Sequence, residues 1–202
     1  MKMSQLNVEA FRAINDLGKD YSFLDPVAVF LAEYMLYFLI LGIVVYWFTR
    51  TDKNRMMIIL AIISVAVAEV IGKVAGKLYS HYQPFAELPH VNKLVEHAVD
   101  NAFPSDHSII FFSICFSILL VRKKEGWLWI ILACCVAISR VMVGVHYPLD
   151  VLTGALIGIL SALFVYLIAP KLSFLNKLLA LYEKVEGAIL PRSKSGDKHK
   201  NF

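Results

Sequence analysis

The fold is decided by residues 127–169, WLWIILACCVAISRVMVGVHYPLDVLTGALIGILSALFVYLIA, in which two long apolar runs flank a short segment containing His146 and Pro148. A helix needs about 20 apolar residues to cross the hydrocarbon core of a bilayer. Working outward, we find five apolar runs, of which the third is short, at about 26–48, 56–79, 105–121, 127–143 and 149–169. We therefore predict an all-α fold, an integral membrane helical bundle with about five transmembrane helices.

The composition favours a membrane protein over a soluble one. Hydrophobic residues make up 58% and charged residues 18% of the 202 residues, whereas a soluble domain has about 45–50% and about 25%. The net charge of +4 is small and dispersed, so it does not indicate a nucleic-acid partner. The three cysteines lie inside apolar runs without metal-ligand spacing, which predicts buried apolar side chains: Cys115, Cys134 and Cys135.

Three segments are expected along the chain. They are an amphipathic N-terminal segment, a transmembrane bundle and a basic cytoplasmic tail, over residues 1–25, 26–170 and 171–202. The apolar periodicity of residues 4–17 predicts a short helix, which either lies on the bilayer surface or packs on the bundle. The end of the tail, residues 191–202, is predicted to be disordered.

The basic residues predict the orientation in the membrane. They concentrate in the first connection, the third connection and the tail, as Arg50, Lys53, Arg55, Arg122, Lys123, Lys124 and seven residues from Lys171 to Lys200. The positive-inside rule places these parts in the cytoplasm. We therefore expect a multi-pass protein of a bacterial cell membrane with its N-terminus outside, its C-terminus inside, and its second and fourth connections facing outward.

Polar residues gather at the outward ends of the apolar runs, where such residues are costly and informative. Residues 104–107, Pro-Ser-Asp-His, suit a helix start with Ser105 as N-cap. The free amides of a first helical turn bind anions, so His107 would meet a phosphate there. A simply capped helix is the alternative interpretation.

The fourth run ends in Ser139 and Arg140, and His146 and Asp150 follow. A buried arginine needs an anion, and its planar guanidinium fits phosphate oxygens. A carboxylate one turn from an imidazole can accept its N–H and leave the other nitrogen as a nucleophile. His146 taken alone is equally compatible with a core or capping histidine.

The second run ends with polar residues four apart, so that they share one helix face: Glu69, Lys73, Lys77 and His81. Glu69 and Lys73 can form an ion pair, and the lysines can extend towards the bilayer surface without any functional role. Together, the four helix ends offer an anion site and two histidines, a set that suits phosphoryl transfer through a phosphohistidine.

These motifs resemble those of the type 2 phosphatidic acid phosphatase superfamily. Ser139-Arg140, then His146 after five residues and Asp150 after three more, matches its third signature. Residues 104–107 look like its second signature, usually Pro-Ser-Gly-His, and the Asp variant resembles the bacterial bacitracin-resistance undecaprenyl-diphosphatases. The resemblance extends over most of the chain.

The first signature of the family, Lys-(six)-Arg-Pro, is altered here. Gln83-Pro84 stands where Arg-Pro is expected, and Gly76 stands at the lysine position with Lys77 one residue later. Gln83 supplies a neutral donor without charge, for which Lys77 can compensate. On this basis Gln83→Arg is expected to leave activity intact or raise it.

The resemblance implies a mechanism without a metal or other cofactor. His146 attacks the terminal phosphorus, Asp150 orients it, and His107 protonates the leaving oxygen and later activates water. The phosphate is expected to contact Arg140, Ser105, Ser139, Asp106, Lys77 and Gln83. The implied reaction converts undecaprenyl diphosphate to undecaprenyl phosphate, which recycles the lipid carrier of cell-wall synthesis and gives bacitracin resistance.

Other functions stay open at this point. The same chemistry could serve another lipid phosphate, such as phosphatidylglycerol phosphate or phosphatidate. A serine hydrolase using Ser105 and His146 would leave Arg140 without a purpose. A transporter or a non-catalytic membrane protein is the third class, although polar groups at one membrane face do not resemble a midplane transport site. The oligomeric state is not predicted.

Overall fold

The computed structural model describes residues 4–189. Within this range the chain forms α-helices and short 3-10 turns without a strand. The helices are α1 (Gln5–Asn15), α2 (Leu17–Asp20), α3 (Asp25–Glu33), α4 (Met35–Phe48), α5 (Asp52–Leu78), α6 (Pro84–Glu87), α7 (Asp106–Val121), α8 (Lys123–Met142), α9 (Pro148–Ile168) and α10 (Ser173–Ile189). The prediction of an all-α membrane bundle is confirmed.

The five predicted spans differ in form. Three described helices are long and apolar enough to cross a membrane, namely α5, α8 and α9 with its 3-10 extension. The first apolar run is not one straight helix, because α3 and α4 meet at Tyr34 with a bend of 48°. The pair is either a broken fourth span or a re-entrant loop. The helix α7 has 16 residues and is shorter than an ordinary span.

The helix α7 forms the centre of the bundle, packed among α5, α8 and α9. It buries side chains all around its circumference: Ser108, Ile109, Phe111, Phe112, Ser113, Ile114, Cys115, Ser117 and Ile118. Because its neighbours cover most of it, little of its surface is available to lipid. A helix in this position is held by packing, and its N-terminus is fixed among three other helix ends.

Two glycines let α9 approach α7 closely. A Cβ at Gly158 would lie 2.8 Å from the Ile109 carbonyl oxygen, and one at Gly154 would lie 2.6 Å from that of Ser105. This contact places the start of α9 against the start of α7, where the Ser105 amide donates to the Asp150 carbonyl at 3.2 Å. The small residues therefore bring two of the predicted motifs together.

The opposite face of α9 is apolar and exposed. Its exposed side chains recur at helical spacing as Leu152, Leu156, Leu160, Phe164 and Leu167. In a membrane-spanning helix such a stripe faces lipid acyl chains. Of the three cysteines, Cys115 is buried as predicted, but Cys134 and Cys135 are exposed on the outside of α8, so burial was the wrong prediction for this pair.

The helix α1 packs on the bundle, which decides between the two predicted positions of the N-terminal segment. Phe11 is fully buried, and the centroid of its ring lies 5.5 Å from that of the Tyr147 ring. Asn15 Nδ2 donates to the Met142 carbonyl at 2.8 Å, and Asn7 Oδ1 accepts from the Leu149 amide at 3.1 Å. The helix α1 therefore supports the connection between α8 and α9.

The helix α10 covers the other end of the bundle. Leu175 and Leu179 are buried beside α5, and Arg55 of α5 is paired with two glutamates of α10. The predicted cytoplasmic tail thus begins as a helix docked through its apolar and acidic side chains. Its expected disordered end, residues 191–202, lies outside the described residues.

Candidate active site

Four helix ends meet on one side of the bundle. His81 follows the end of α5, Ser105 precedes α7, Arg140 lies in the last turn of α8, and His146 precedes α9. All four residues are buried, with exposed fractions of 9% or less. The site is therefore a cluster of polar groups enclosed by apolar helices, as the sequence predicted from the run ends.

His146 has one defined ring partner. Its Nδ1 donates to the Ala102 carbonyl oxygen at 2.9 Å, so Nε2 carries the lone pair. Burial, and to a smaller extent the charge of Arg140, lowers the pKa of His146 below its ordinary value. A neutral imidazole with an unprotonated Nε2 is the form that a nucleophile needs.

Asp150 is fully buried, and its carboxylate accepts hydrogen bonds from two groups. Its Oδ2 accepts from the Tyr147 amide at 2.8 Å, and its Oδ1 accepts from His81 Nε2 at 3.0 Å. The His146 Nδ1 atom lies 3.7 Å from Oδ2, which is beyond an ordinary hydrogen bond. Asp150 thus lies beside His146 as expected, while the direct acceptor of the His146 N–H is the backbone.

Arg140 lies within electrostatic reach of both histidines. Its positive charge acts on the rings of His107 and His146 and on the carboxylate of Asp106. Its Nη1 donates to the Ala32 carbonyl at 3.1 Å and to Glu33 Oε1 at 3.3 Å. Its Nε is buried without a hydrogen-bond partner, so the guanidinium retains capacity for an anion.

Ser105 occupies the predicted N-cap position of α7, but its side chain does not cap the helix. The Ser105 Oγ atom is buried without a hydrogen-bond partner. The first backbone bond of α7 runs from the Ile109 amide to the Ser105 carbonyl at 3.0 Å. The amides before Ile109, including those of Asp106 and His107, therefore belong to the helix N-terminus that attracts anions.

The residues of the altered first signature are arranged differently from a phosphate-binding arm. Gln83 is fully buried, its Nε2 donates to the Asp100 carboxylate, and its Oε1 accepts from the Asp100 amide at 3.1 Å. Lys77 is exposed in the last turn of α5. A Cβ at Gly76 would lie 2.7 Å from the Phe103 carbonyl oxygen, so a lysine does not fit at that position.

The structure also places three other polar residues that the sequence singled out near the site. Ser139 is buried, and its hydroxyl donates to the Val136 carbonyl at 2.7 Å. The expected Glu69–Lys73 ion pair is not among those of residues 4–189, and Glu69 Oε1 is buried without a hydrogen-bond partner. Asp106 is exposed at the start of α7.

The structure adds residues that sequence reasoning did not place in the site. The sequence placed His81 on the polar face of the second run and in the outward connection, but it did not predict the contact of its ring with Asp150. Glu33 and Ala102 contact Arg140 and His146 through connections far away in sequence. No spacing rule links these residues, so the sequence carried no signal for them. In the described range no three His, Cys, Asp or Glu side chains are grouped as a metal site.

Comparison with known proteins agrees with this geometry. The model of the PAP2 superfamily matches residues 58–174, which include all four helix ends of the site. The chain belongs to the PAP2 superfamily. The resemblance inferred from the sequence motifs is confirmed.

Two curated relatives cover nearly the whole chain. The bacitracin transport permease protein BcrC of Bacillus licheniformis is 64% identical over 203 residues, with full coverage of both chains. The undecaprenyl-diphosphatase BcrC of Bacillus subtilis is 32% identical and covers 89% of this chain and 93% of its own length. Among solved structures, LpxE of Aquifex aeolicus superposes with a TM-score of 0.69 at 25% identity, over 82% of this chain and 98% of its own.

Proposed function

We propose that this PAP2 protein hydrolyses undecaprenyl diphosphate to undecaprenyl phosphate through a phosphohistidine at His146. The observation that carries the proposal is the orientation of the His146 ring. Its Nδ1–H is held by Ala102 and its Nε2 is unprotonated, beside Arg140 and His107. The name of the Bacillus subtilis relative supports the substrate.

In the first step, His146 Nε2 attacks the terminal phosphorus as the bond to the bridging oxygen breaks. His107 donates a proton to that oxygen, and undecaprenyl phosphate leaves. In the second step, His107 takes a proton from water, the hydroxide attacks the phosphorus, and the phosphorus–nitrogen bond breaks to release inorganic phosphate. His107 returns to its starting protonation state, so the cycle consumes only water and the diphosphate.

The negative charge that develops on the phosphoryl oxygens needs fixed donors. We assign this role to Arg140, the Ser105 hydroxyl and the first amides of α7, because each has unused hydrogen-bonding capacity. Lys77 would add charge from the exposed side. Gln83, Ser139 and Asp106 have secondary roles in the proposed phosphate site. The side-chain amide of Gln83 already donates to Asp100, and the hydroxyl of Ser139 donates to the Val136 carbonyl.

The basic residues suggest how the molecule lies in a bacterial membrane. The α5 and α8 starts and α10 lie at the end of the bundle opposite the site. They carry the basic residues Lys53, Arg55, Lys123, Lys124, Lys177 and Lys184. By the positive-inside rule this end faces the cytoplasm. The site then faces the outer leaflet, where lipid diphosphates of wall synthesis are released.

The name of the Bacillus licheniformis relative raises a second candidate, the transport of bacitracin. Hydrolysis explains more of the structure. It gives a role to the oriented His146 ring and to the incompletely paired Arg140, whereas a peptide carrier needs neither. A protein that protects cells from bacitracin without hydrolysing the lipid would favour transport.

The test is phosphate release from undecaprenyl diphosphate by the purified protein in detergent with EDTA, with wild type beside His146→Ala. We expect release by wild type and none by the variant, and acid-labile 32P-labelled protein from wild type alone. Phosphatidylglycerol phosphate and phosphatidate serve as competing substrates. Equal release by both proteins would exclude the phosphohistidine, and faster hydrolysis of another lipid would reassign the substrate.

A further inference from the structure

His81 lies outside the signature motifs but inside the site. Its side chain is 3% exposed and packs among aromatic rings, with centroid distances of 5.5 Å to Tyr79, 5.5 Å to Tyr147 and 6.1 Å to Phe103. A polar ring in such a place is costly unless its nitrogens are bonded. The partners of those nitrogens therefore show what the ring does.

Both ring nitrogens of His81 face acceptors. Nδ1 lies 3.0 Å from the Tyr82 carbonyl oxygen, and Nε2 lies 3.0 Å from Asp150 Oδ1. A carbonyl oxygen only accepts, and an ionised carboxylate only accepts. Both hydrogen bonds are satisfied together when His81 carries a proton on each nitrogen, which makes it a buried imidazolium.

His81 also holds Ala102, whose carbonyl oxygen accepts the hydrogen bond from His146. Its backbone carbonyl accepts from the Ala102 amide at 2.9 Å, and the Ala102 carbonyl accepts from His146 Nδ1. The Asp150 carboxylate, held by the His81 ring, lies beside the same His146 nitrogen. His81 thus contacts both groups that surround the His146 N–H, one through its side chain and one through its backbone.

The charges around His81 favour its protonated form. Asp150 of α9 and Glu87 of α6 are the carboxylates that face it, and Tyr79, Tyr82 and Tyr147 are the other titratable neighbours. Burial is the largest single effect and lowers its pKa. The bonds to Asp150 and Tyr82 and the two negative charges together outweigh it, so the pKa of His81 lies above its ordinary value.

We propose that His81 is a positively charged positioning residue, which holds Asp150 and the Ala102 backbone so that His146 keeps Nε2 directed at the substrate. This proposal rests on the proposed function for its effect on turnover. Because the ring does not contact the phosphate-binding groups, it acts on kcat and not on KM. Loss of its proton at alkaline pH removes one of its two hydrogen bonds, so turnover falls there.

Two substitutions separate the hydrogen bond from the charge. His81→Gln keeps an N–H donor for Asp150 but has no titrating proton, whereas His81→Phe keeps the ring shape and removes both donors. His90→Asn is the matched control, because His90 is exposed and has φ of 54°, which asparagine tolerates.

We expect His81→Phe to lower kcat about 10- to 100-fold with little change in KM, as for other residues that orient a reacting group. His81→Gln should retain more activity and lose the alkaline decline that wild type and His90→Asn share. An unchanged kcat in His81→Phe would overturn the proposal. So would an alkaline decline in His81→Gln identical to that of wild type.

Nitrogen-15 NMR of histidine-labelled protein tests the charge without reference to turnover. We expect a wild-type imidazolium signal with both nitrogens protonated at about pH 7.5, absent from His81→Gln. If wild type shows no such signal, His81 is neutral and the proposal fails. This result needs only the wild-type protein, so it stands even if a variant does not fold. Wild-type protein that shows the signal but releases no phosphate would reject the proposed function alone.

Discussion

Two buried arginines lie at opposite ends of the bundle and differ in their surroundings. The Arg55 side chain has no exposed surface, and it forms ion pairs with Glu183 at 3.2 Å and Glu186 at 2.7 Å. Its guanidinium carbon also lies 5.6 Å from the centroid of the Trp47 ring and 5.1 Å from that of the Tyr182 ring. Its charge is thus neutralised within the protein.

Arg140, at the site end, is equally buried but less completely paired. Its side chain is 3% exposed, and its one carboxylate partner within residues 4–189, Glu33, is 43% exposed at a distance of 3.3 Å. A buried cation with one solvent-facing counter-ion retains positive potential. The number and burial of the carboxylate partners, rather than the burial of the arginine, distinguish the structural Arg55 from Arg140, which we propose binds the phosphate.

The largest expected effect comes from Arg140→Lys. Lysine keeps the charge but loses the planar guanidinium that binds two phosphate oxygens, so we expect kcat/KM to fall about 10²- to 10³-fold with little change in thermal stability. Arg55→Lys is the matched control and should retain turnover per folded molecule. Comparable losses of turnover in both variants would remove the distinction between the two ends.

Arg55→Leu should affect stability rather than catalysis. The substitution breaks the ion pairs of Arg55 with Glu183 and Glu186, while Glu186 keeps Arg50 at 3.4 Å. Breaking a buried pair costs about 3 kcal/mol. We expect a lower melting temperature by fluorescence in detergent, with unchanged phosphate release per folded molecule below that temperature. A normal melting temperature would show that α10 stays docked without the ion pairs of Arg55.

Gln83→Arg tests how far the altered first signature is adapted to this chain. The sequence alone favoured intact or higher activity, but the structure reverses that expectation, because Gln83 is fully buried and bonded twice to Asp100. Overpacking such a position costs about 1–3 kcal/mol. We expect Gln83→Arg to lower thermal stability and to reduce turnover severalfold. Gln83→Glu has nearly the same size as wild type, so it would show the effect of a charge at this position without overpacking.

The smallest effect is expected for Glu33→Gln. A half-exposed ion pair contributes about 0–1 kcal/mol, which limits the change in substrate affinity to roughly fivefold at most. Since Glu33 competes with phosphate for Arg140, KM should fall while kcat is unchanged. A higher KM would mean that Glu33 holds Arg140 in its binding position instead.

The sequence by itself determined the class of fold and the list of helix ends that carry polar residues. Long apolar runs leave few choices in a bilayer, because backbone groups in lipid must bond within a helix. The spacing of Ser139, Arg140, His146 and Asp150 also indicated the family, which the family comparison confirms, and it predicts His146 as the nucleophile. These conclusions depend on local order along the chain, which spacing expresses directly.

Only the tertiary structure decided which groups contact one another inside the site. The ring of His81 contacts Asp150 across 69 residues, and Ala102 contacts His146 across 44. The docking of α1 on the bundle depends likewise on distant contacts. The packing of α9 on α7 through Gly154 and Gly158 sets such contacts, and no periodicity within a single helix encodes them.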